Sequence, residues 1–188
     1  MTGAGRNILK VAHFSLVVIG AGSGKILLPD HPAGPVALIE SGRIGGTCLN
    51  RGCIPSKMLI HSADVAEQVG RAREFGIEAT VTRVDWPAIR DRTFGKTDRI
   101  SDEGRLAMTE SDAVTLIEGR ARFTGPRELV IDDGTRVTAD HIVLATGAHP
   151  VIPPPIADSG APYQTSDTVM RLDRLPASMI MALTGETA

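Results

Sequence analysis

The two cysteines of this chain, Cys48 and Cys53, lie in one short glycine-rich segment. Four residues separate them, and Gly52 relaxes the backbone enough for the loop to fold back, so the two thiols can close a disulfide. Pro55 fits the first turn of a helix, which places Cys53 near a helix N-terminus with the cation of Lys57 about one turn further on. Both features favour a thiolate. The pattern therefore predicts a redox-active pair of thiols.

Three other interpretations of the cysteine pair stay open on spacing alone. One is a structural disulfide, although closing so small a loop contributes little chain entropy and the sequence shows no secretory signal. Another is a metal site; His61 is near in sequence, but no second cysteine pair or histidine cluster completes a ligand set, so we expect no metal. The third is a pair of unrelated free thiols.

Upstream of the cysteines, a glycine-rich turn joins two short apolar runs. The runs, residues 14–19 and 36–39, are typical of buried parallel strands. The turn after the first run consists of Gly20, Ala21, Gly22, Ser23 and Gly24. Glycines there permit a tight turn and let backbone N–H groups approach a pyrophosphate, and Glu40 at the end of the second run can hydrogen-bond a ribose hydroxyl. This order of elements predicts a dinucleotide-binding turn.

Two departures from the G-x-G-x-x-G pattern qualify that prediction. The third glycine would stand at position 25, which is Lys25, whereas Gly24 comes one position early. Three prolines also interrupt the crossover to the second strand, and a proline inside a helix costs about 3 kcal/mol, so we expect at most one or two helical turns after Gly22. A nucleoside-triphosphate P-loop is the competing interpretation, but Ile19 and Ile26 stand where it requires a glycine and a serine or threonine.

The cysteine segment, Gly-Gly-Thr-Cys-x-Asn-x-Gly-Cys-Ile-Pro-Ser-Lys, resembles the active-site signature of the flavoprotein disulfide reductases. Its free positions are Leu49 and Arg51, and Arg51 stands where small or apolar residues are common in that family. The resemblance implies an α/β fold, a Rossmann-like FAD-binding domain with a parallel sheet, helices and a small antiparallel β element. It also implies that Cys48 attacks the substrate disulfide, that Cys53 lies next to the flavin, and that Lys57 tunes the flavin electronically.

The same resemblance assigns cofactor-binding residues. The residues from Gly119 to Phe123 match a segment that contacts the adenine through its backbone, and Ala145-Thr146-Gly147 matches a segment that closes over the FAD. Together with the glycine turn, the residues implied to bind FAD are Gly20, Gly22, Ser23, Gly24, Glu40, Gly46, Thr47, Gly119, Ala121, Ala145, Thr146 and Gly147.

The remaining patterns predict how the chain is organised. Helical spacing of apolar residues predicts core-packing helices over residues 55–75 and 86–110, with Gly76 and Asp85 as caps. Short strands are expected over residues 114–117, 129–131, 136–138 and 141–144, with a hairpin turn between the second and third. The expected domain plan is a mobile leader over 1–13, the FAD-binding domain over 14–150, a proline-stiffened connection over 151–175, and the first strand of an NADPH domain over 176–188.

Composition excludes some classes of partner. The chain has 188 residues, 42% of them hydrophobic, and a formal net charge of -2, which is ordinary for a globular protein. No basic face indicates nucleic acid, and no apolar run reaches the roughly 20 residues of a membrane span. Two cysteines in a sequence without a secretory signal suit a reducing cytoplasm, so we expect a cytoplasmic protein.

Within the family, residues 163–170 and the turn Gly22-Ser23-Gly24 resemble the mycothione reductases, whose substrate is mycothiol disulfide. A dihydrolipoyl dehydrogenase-like or mercuric reductase-like member is the alternative. Family members are homodimers whose later domains carry an NADPH site and a His-Glu acid–base pair, and neither pattern stands in this sequence. We therefore expect a truncated chain with little NADPH-linked turnover of its own. It is either the FAD-binding part of a reductase, completed by a separate chain, or a remnant whose proline-rich crossover no longer holds FAD.

Overall fold

The computed structural model describes residues 11–29 and 33–181, and the chain forms two compact units. The first comprises the described residues up to Gly46 together with Ile100–Gly147, and the second comprises Thr47–Arg99 and the residues after 147. The predicted domain over 14–150 is thus divided, because the segment between the second and third strands forms a unit of its own with the C-terminal residues.

A six-stranded sheet forms the first unit, in the order β3-β2-β1-β6-β5-β4. Its strands are β1 (Val11–Ile19), β2 (Val36–Glu40), β3 (Thr115–Glu118), β4 (Ala121–Gly125), β5 (Glu128–Ile131) and β6 (Arg136–Leu144). The four strands β3, β2, β1 and β6 are parallel, whereas β5 runs antiparallel to both β6 and β4. The predicted parallel sheet with a small antiparallel element is confirmed.

Apolar side chains cover both faces of the parallel strands. Successive strand residues point to opposite faces, so the neighbours Val17 and Val18 enter different clusters. Val17 packs with Phe14 and Ile39, and Val18 packs with Leu38 on the other face. The continuous apolar runs are therefore buried on both sides, as the pattern of a parallel strand predicts.

Strand β1 begins earlier than the sequence predicts. Val11, Ala12 and His13 pair with β6, so the predicted leader is wrong for these three residues; residues 1–10 lie outside the described part. The Nδ1 atom of His13 lies 3.0 Å from Thr138 Oγ1. The reason is the length of β6, which continues the pairing beyond the apolar part of β1.

The strands predicted over 136–138 and 141–144 are one strand, β6. Its first three residues pair with β5 as well as β1, and the pairing with β1 continues at Ala139 and again from His141 to Leu144, so the strand passes through Ala139 and Asp140 without a break. Leu144 at its end is exposed, although the sequence predicted a buried strand there. The predicted hairpin between β5 and β6 is confirmed.

Helices dominate the second unit. They are α1 (Gly46–Arg51), which begins in the first unit, α2 (Cys53–Arg71) with a 3-10 extension (Ala72–Phe75), α3 (Trp86–Thr109), which ends in the first unit, α4 (Pro154–Ala157) and a 3-10 turn (Val169–Arg171). Both predicted caps are confirmed: Gly76 ends the extension of α2 with a φ of 75°, and Asp85 Oδ1 accepts a hydrogen bond from Ala88 N at 3.1 Å. The short α4 interrupts the connection that the prolines had suggested.

Helix α2 does not bury the apolar residues that predicted it. Ile60 and Val65 are both exposed. At 100° per residue Ile60 lies on the opposite side of the helix from Met58, so no single neighbour can cover both. The expectation of a core-packing helix is therefore wrong for this part of α2.

The residues after α4 are anchored to α3 by polar and aromatic contacts within the second unit. Trp86 Nε1 donates to Leu172 O at 2.7 Å, and the Arg171 guanidinium stacks 3.8 Å from the centre of the Phe94 ring. Of the predicted NADPH-domain strand over 176–188, the described residues 176–181 form no strand, and residues 182–188 lie outside the described part. None of the described helices is long and apolar enough to cross a membrane.

Candidate functional site

Backbone hydrogen bonds join the carboxyl ends of the four parallel strands. Each is 2.8 Å long, and they run from Ala145 N to Ile19 O, from Gly20 N to Ile39 O and from Gly119 N to Glu40 O. Ligands of such sheets bind outside the carboxyl ends of the strands, at the point where strand order reverses. In this sheet that point lies between β1 and β6, where Gly20 and Ala145 stand side by side.

Two close approaches at this edge require glycine. Gly20 has a φ of 109°, and a Cβ there would overlap the carbonyl oxygen of Ala145. Gly46 has a φ of 60°, and a Cβ there would lie 2.6 Å from the Cα of Gly22. The glycine turn after β1 and the segment before α1 are therefore in backbone contact, without side chains between them.

Gly24 explains the irregular glycine pattern. A Cβ at this position would overlap the Cβ of Ala145 and lie 3.4 Å from Val18 Cγ1. Gly24 thus provides the close helix–strand packing that the third glycine of G-x-G-x-x-G normally provides. It comes one position early because the turn is a 3-10 helix (Ser23–Leu27), which has three residues per turn rather than 3.6. The expectation of one or two helical turns after Gly22 is confirmed.

The turn fits the pyrophosphate and ribose of a dinucleotide such as FAD. Within the described part of the chain, the backbone N–H groups of Gly22, Ser23 and Gly24 donate no hydrogen bond to a backbone carbonyl, so these donors can serve a ligand. Glu40 accepts a hydrogen bond from Ala21 N on one carboxylate oxygen and from Gly42 N on the other, both at 2.7 Å. Each of those oxygens keeps a second lone pair for a hydroxyl donor.

The other predicted cofactor residues of the first unit lie at the ends of β3 and β6. Gly119 has a φ of 142°, and a Cβ there would lie 2.6 Å from Ile131 Cγ2, so only glycine fits. Ala121 opens β4, and Thr146 and Gly147 are exposed just beyond β6.

The two cysteines stand at a junction of two helices. Cys48 lies in α1, which the sequence did not predict, and Cys53 is the first residue of α2. Gly52 separates the helices, and a Cβ there would lie 2.9 Å from the carbonyl oxygen of Thr47. Buried Leu49 anchors α1. Both cysteines are exposed free thiols, and they belong, with Thr47 and Lys57, to the second unit.

The two thiols interact directly. A side-chain hydrogen bond with Cys53 raises the pKa of the Cys48 thiol above its ordinary value, and partial desolvation and the charge of Cys53 raise that pKa further. The backbone N–H of Cys53 and the Lys57 ammonium act in the opposite direction and lower it by less. The interaction with Cys53 therefore disfavours the thiolate form of Cys48.

Removing the Cys53 sulfur should lower the pKa of Cys48. In Cys53→Ala the hydrogen bond and the charge that raise this pKa are gone, whereas the Lys57 ammonium remains. We expect the Cys48 thiolate to form at lower pH, and iodoacetamide to alkylate Cys48 faster at neutral pH than in the reduced parent. Peptide mass spectrometry over a pH series measures this. An unchanged or higher midpoint would contradict the hydrogen bond.

Arg51, the unusual residue between the cysteines, is paired within the second unit. Its Nη1 lies 3.3 Å from Asp167 Oδ2. The sequence alone gave no sign of this contact, because 116 positions (167 minus 51) separate the two residues.

Comparisons with known proteins give a consistent result. The family model described as pyridine nucleotide-disulphide oxidoreductase matches residues 14–180. A mycothione reductase of Mycobacterium tuberculosis is 38% identical over 179 residues, and a dihydrolipoyl dehydrogenase of Chlamydia pneumoniae is 35% identical over 171. These matches cover 92% and 88% of this chain, but the chain spans only 39% and 37% of the relatives' lengths.

A solved structure agrees with these matches. The HOCl-induced flavoprotein disulfide reductase RclA from Escherichia coli superposes with a TM-score of 0.59 at 26% identity. The match covers 74% of this chain and 29% of that protein.

Proposed function

The chain belongs to the pyridine nucleotide-disulphide oxidoreductase family, whose members use FAD and NAD(P)H. On that premise we propose that it forms the part of a mycothione reductase that binds FAD and carries the redox-active cysteines. In this proposal Cys48 and Cys53 reduce a low-molecular-weight disulfide, with mycothiol disulfide as the substrate and NADPH as the source of electrons. The observation that carries the proposal is the pair of exposed free thiols, Cys48 and Cys53, on either side of the α1–α2 junction.

The chemistry is thiol–disulfide exchange in two steps. The Cys48 thiolate attacks one sulfur of the substrate, forms a mixed disulfide and releases the first thiolate, which takes up a proton. Cys53 then attacks the Cys48 sulfur, releases the second thiolate and closes the Cys48–Cys53 disulfide. The substrate gains two electrons and two protons, and the cysteine pair loses them.

The cofactor would be held by a set of residues that we call the cradle. The residues proposed for this role are Gly20, Gly22, Ser23, Gly24, Glu40, Gly46, Thr47, Gly119, Ala121, Ala145, Thr146 and Gly147, of which Thr47 belongs to the second unit. FAD, when bound, would supply the two electrons that return the disulfide to two thiols.

Proton transfer at Cys48 needs a base. Because a hydrogen bond to Cys53 raises the pKa of Cys48, the attacking thiolate forms more readily when a nearby base accepts its proton. That requirement agrees with the His-Glu pair that the family resemblance implies outside this sequence. Lys57 lowers the pKa of Cys48 and is proposed to act on the flavin as a fixed positive charge.

A stoichiometric exchange assay tests the substrate, because it needs neither FAD nor NADPH. We expect the chain, reduced and freed of reductant, to yield about two equivalents of mycothiol per mole from mycothiol disulfide, and to do so several-fold faster than it reduces glutathione disulfide or lipoamide. Cys48→Ser should form no mixed disulfide with the substrate. Cys53→Ser should stop at the mixed disulfide on Cys48, which mass spectrometry detects.

Two results of that assay would contradict the proposal. Preference for lipoamide would favour the dihydrolipoyl dehydrogenase-like alternative, which the 35% identical relative represents. A mixed disulfide that accumulates on Cys53 in Cys48→Ser, at the rate of the parent, would reverse the two roles.

A further inference from the structure

A buried serine of α3 donates to the loop that follows β2. Ser101 is 2% exposed, and its Oγ donates to Ile44 O at 2.7 Å. Helical serine and threonine hydroxyls commonly bond a carbonyl of the preceding turn, as Thr93 Oγ1 does with Ile89 O at 2.9 Å. Ser101 instead reaches a residue 57 positions away, within the first unit. Its hydroxyl therefore serves the loop rather than its own helix.

The hydrogen bond from Ser101 continues through two peptide groups. The carbonyl of Ile44 shares its peptide group with the N–H of Gly45, and that N–H donates to Ala21 O at 3.0 Å. The carbonyl of Ala21 shares its peptide group with the N–H of Gly22, which donates to no backbone carbonyl within the described part of the chain. The result is a row of linked hydrogen bonds that begins at the Ser101 hydroxyl and ends at the N–H of Gly22.

Ala21 is held on both of its peptide groups. Its own N–H donates to Glu40 Oε2 at 2.7 Å, while its carbonyl accepts from Gly45 N. The residue is also fully buried, at 0% exposed. The peptide group between Ala21 and Gly22 is therefore fixed in orientation, and that orientation sets the direction in which the N–H of Gly22 is presented.

Hydrogen bonds in such a row strengthen one another. When a peptide carbonyl accepts a hydrogen bond, the N–H of the same peptide group becomes a stronger donor, by about 10 to 30% per bond. The Ser101 hydroxyl acts in this way on Gly45, and Gly45 acts in the same way on Gly22. A more polar N–H binds a negatively charged oxygen more tightly, because hydrogen bonds to ionised acceptors are the stronger ones. The row therefore favours an anion at its open end.

We propose that Ser101 is a positioning residue for the pyrophosphate of FAD. It lies outside the cradle and acts through the two peptide groups on the N–H of Gly22. A phosphoryl oxygen of the pyrophosphate is the anion at the open end of the row. The inference rests on the proposed function, because it requires the turn after β1 to hold a pyrophosphate.

Two other contacts hold α3 against the same loop. Arg43 Nη2 lies 3.0 Å from Asp102 Oδ1, and a Cβ added at Gly104 would lie 3.3 Å from Ile44 Cγ2, so the helix backbone packs closely on that side chain. Ser101→Ala removes a single oxygen atom, and alanine is the most favourable residue in a helix. We therefore expect this variant to fold with α3 in place.

The chain without FAD tests the row itself. Weaker hydrogen bonds shift amide proton resonances upfield, so in Ser101→Ala we expect the resonances of Gly45 and Gly22 to move upfield in amide NMR spectra of the isotope-labelled chain. Thr93→Val is the matched control. It removes a fully buried hydroxyl from the same helix at nearly constant volume, but that hydroxyl bonds Ile89 O within α3. The two glycine resonances should not move in this variant.

Flavin fluorescence titration tests what the row does for the cofactor. We expect Ser101→Ala to bind FAD about threefold to tenfold more weakly than the parent, because the loss of one linked hydrogen bond weakens the phosphate contact and loosens the turn. Thr93→Val should bind FAD as the parent does. Thermal unfolding of both variants checks that the loss of a buried hydroxyl affects the fold to a similar extent in each.

Upfield shifts at Gly45 and Gly22 together with weaker FAD binding, in Ser101→Ala and not in Thr93→Val, support the inference. It is overturned if the two resonances stay in place, if Ser101→Ala binds FAD as tightly as the parent, or if both variants bind it equally weakly. A parent that binds no FAD overturns the proposed cofactor role as well. A parent that binds FAD, beside a Ser101→Ala variant of equal affinity, overturns the inference alone.

Discussion

Gly22→Ala is expected to weaken FAD binding by about tenfold to a hundredfold while leaving the fold intact. A Cβ at Gly22 would lie 3.4 Å from the Cα of Gly46, which is an ordinary contact, so the turn can accept the methyl group. The same methyl group occupies the space through which backbone N–H groups approach a pyrophosphate. A loss of about 1.4 to 2.8 kcal/mol of binding free energy corresponds to this range. Flavin fluorescence titration of the refolded chain measures it.

Gly95→Ala is the matched control. Gly95 lies within α3, and nothing stands within 4 Å of a Cβ added there. Alanine in a helix interior is favoured over glycine by up to about 1 kcal/mol, so this variant should be slightly more stable and bind FAD as the parent does. If Gly22→Ala bound FAD as tightly as the parent does, the proposal that this turn holds the pyrophosphate would be refuted. A parent that binds no FAD would favour the interpretation of the chain as a remnant whose proline-rich crossover no longer holds FAD.

The sequence predicted the strand–turn–strand–acid unit because short-range patterns define it. Buried parallel strands appear as continuous apolar runs, and Glu40 follows at the expected distance. The position of the third glycine could not be predicted in the same way. Gly24 replaces it because the crossover forms a 3-10 turn, and the type of a one-turn helix depends on contacts with Ala145, which is distant in sequence.

Tertiary contacts account for the other differences from the sequence-based expectations. The start of β1 at Val11 depends on pairing with β6, and the pairing of Arg51 with Asp167 joins residues far apart in the chain. Helix α1 was missed because glycines flank the helix and only two of its six residues, Leu49 and Asn50, are buried. For α2 the helical spacing predicted the helix correctly, but it wrongly predicted that the apolar residues Ile60 and Val65 would be buried.

Cys53→Ser is expected to halve the number of electrons that the FAD-loaded chain can accept. A flavin takes up about two electrons, and a disulfide takes up about two more when it opens to two thiols. The parent should therefore accept about four electrons per bound flavin. Serine at position 53 preserves the size of the side chain at the start of α2 but cannot form the disulfide, so only the flavin remains as an acceptor.

Anaerobic reductive titration of the oxidised, FAD-loaded chain measures flavin binding and the redox activity of the cysteine pair in one experiment. We expect about four electrons per flavin in the parent and about two in Cys53→Ser, with two free thiols appearing only in the parent. Uptake of only about two electrons per flavin by a parent whose cysteines had been oxidised beforehand would refute the redox role of the cysteine pair.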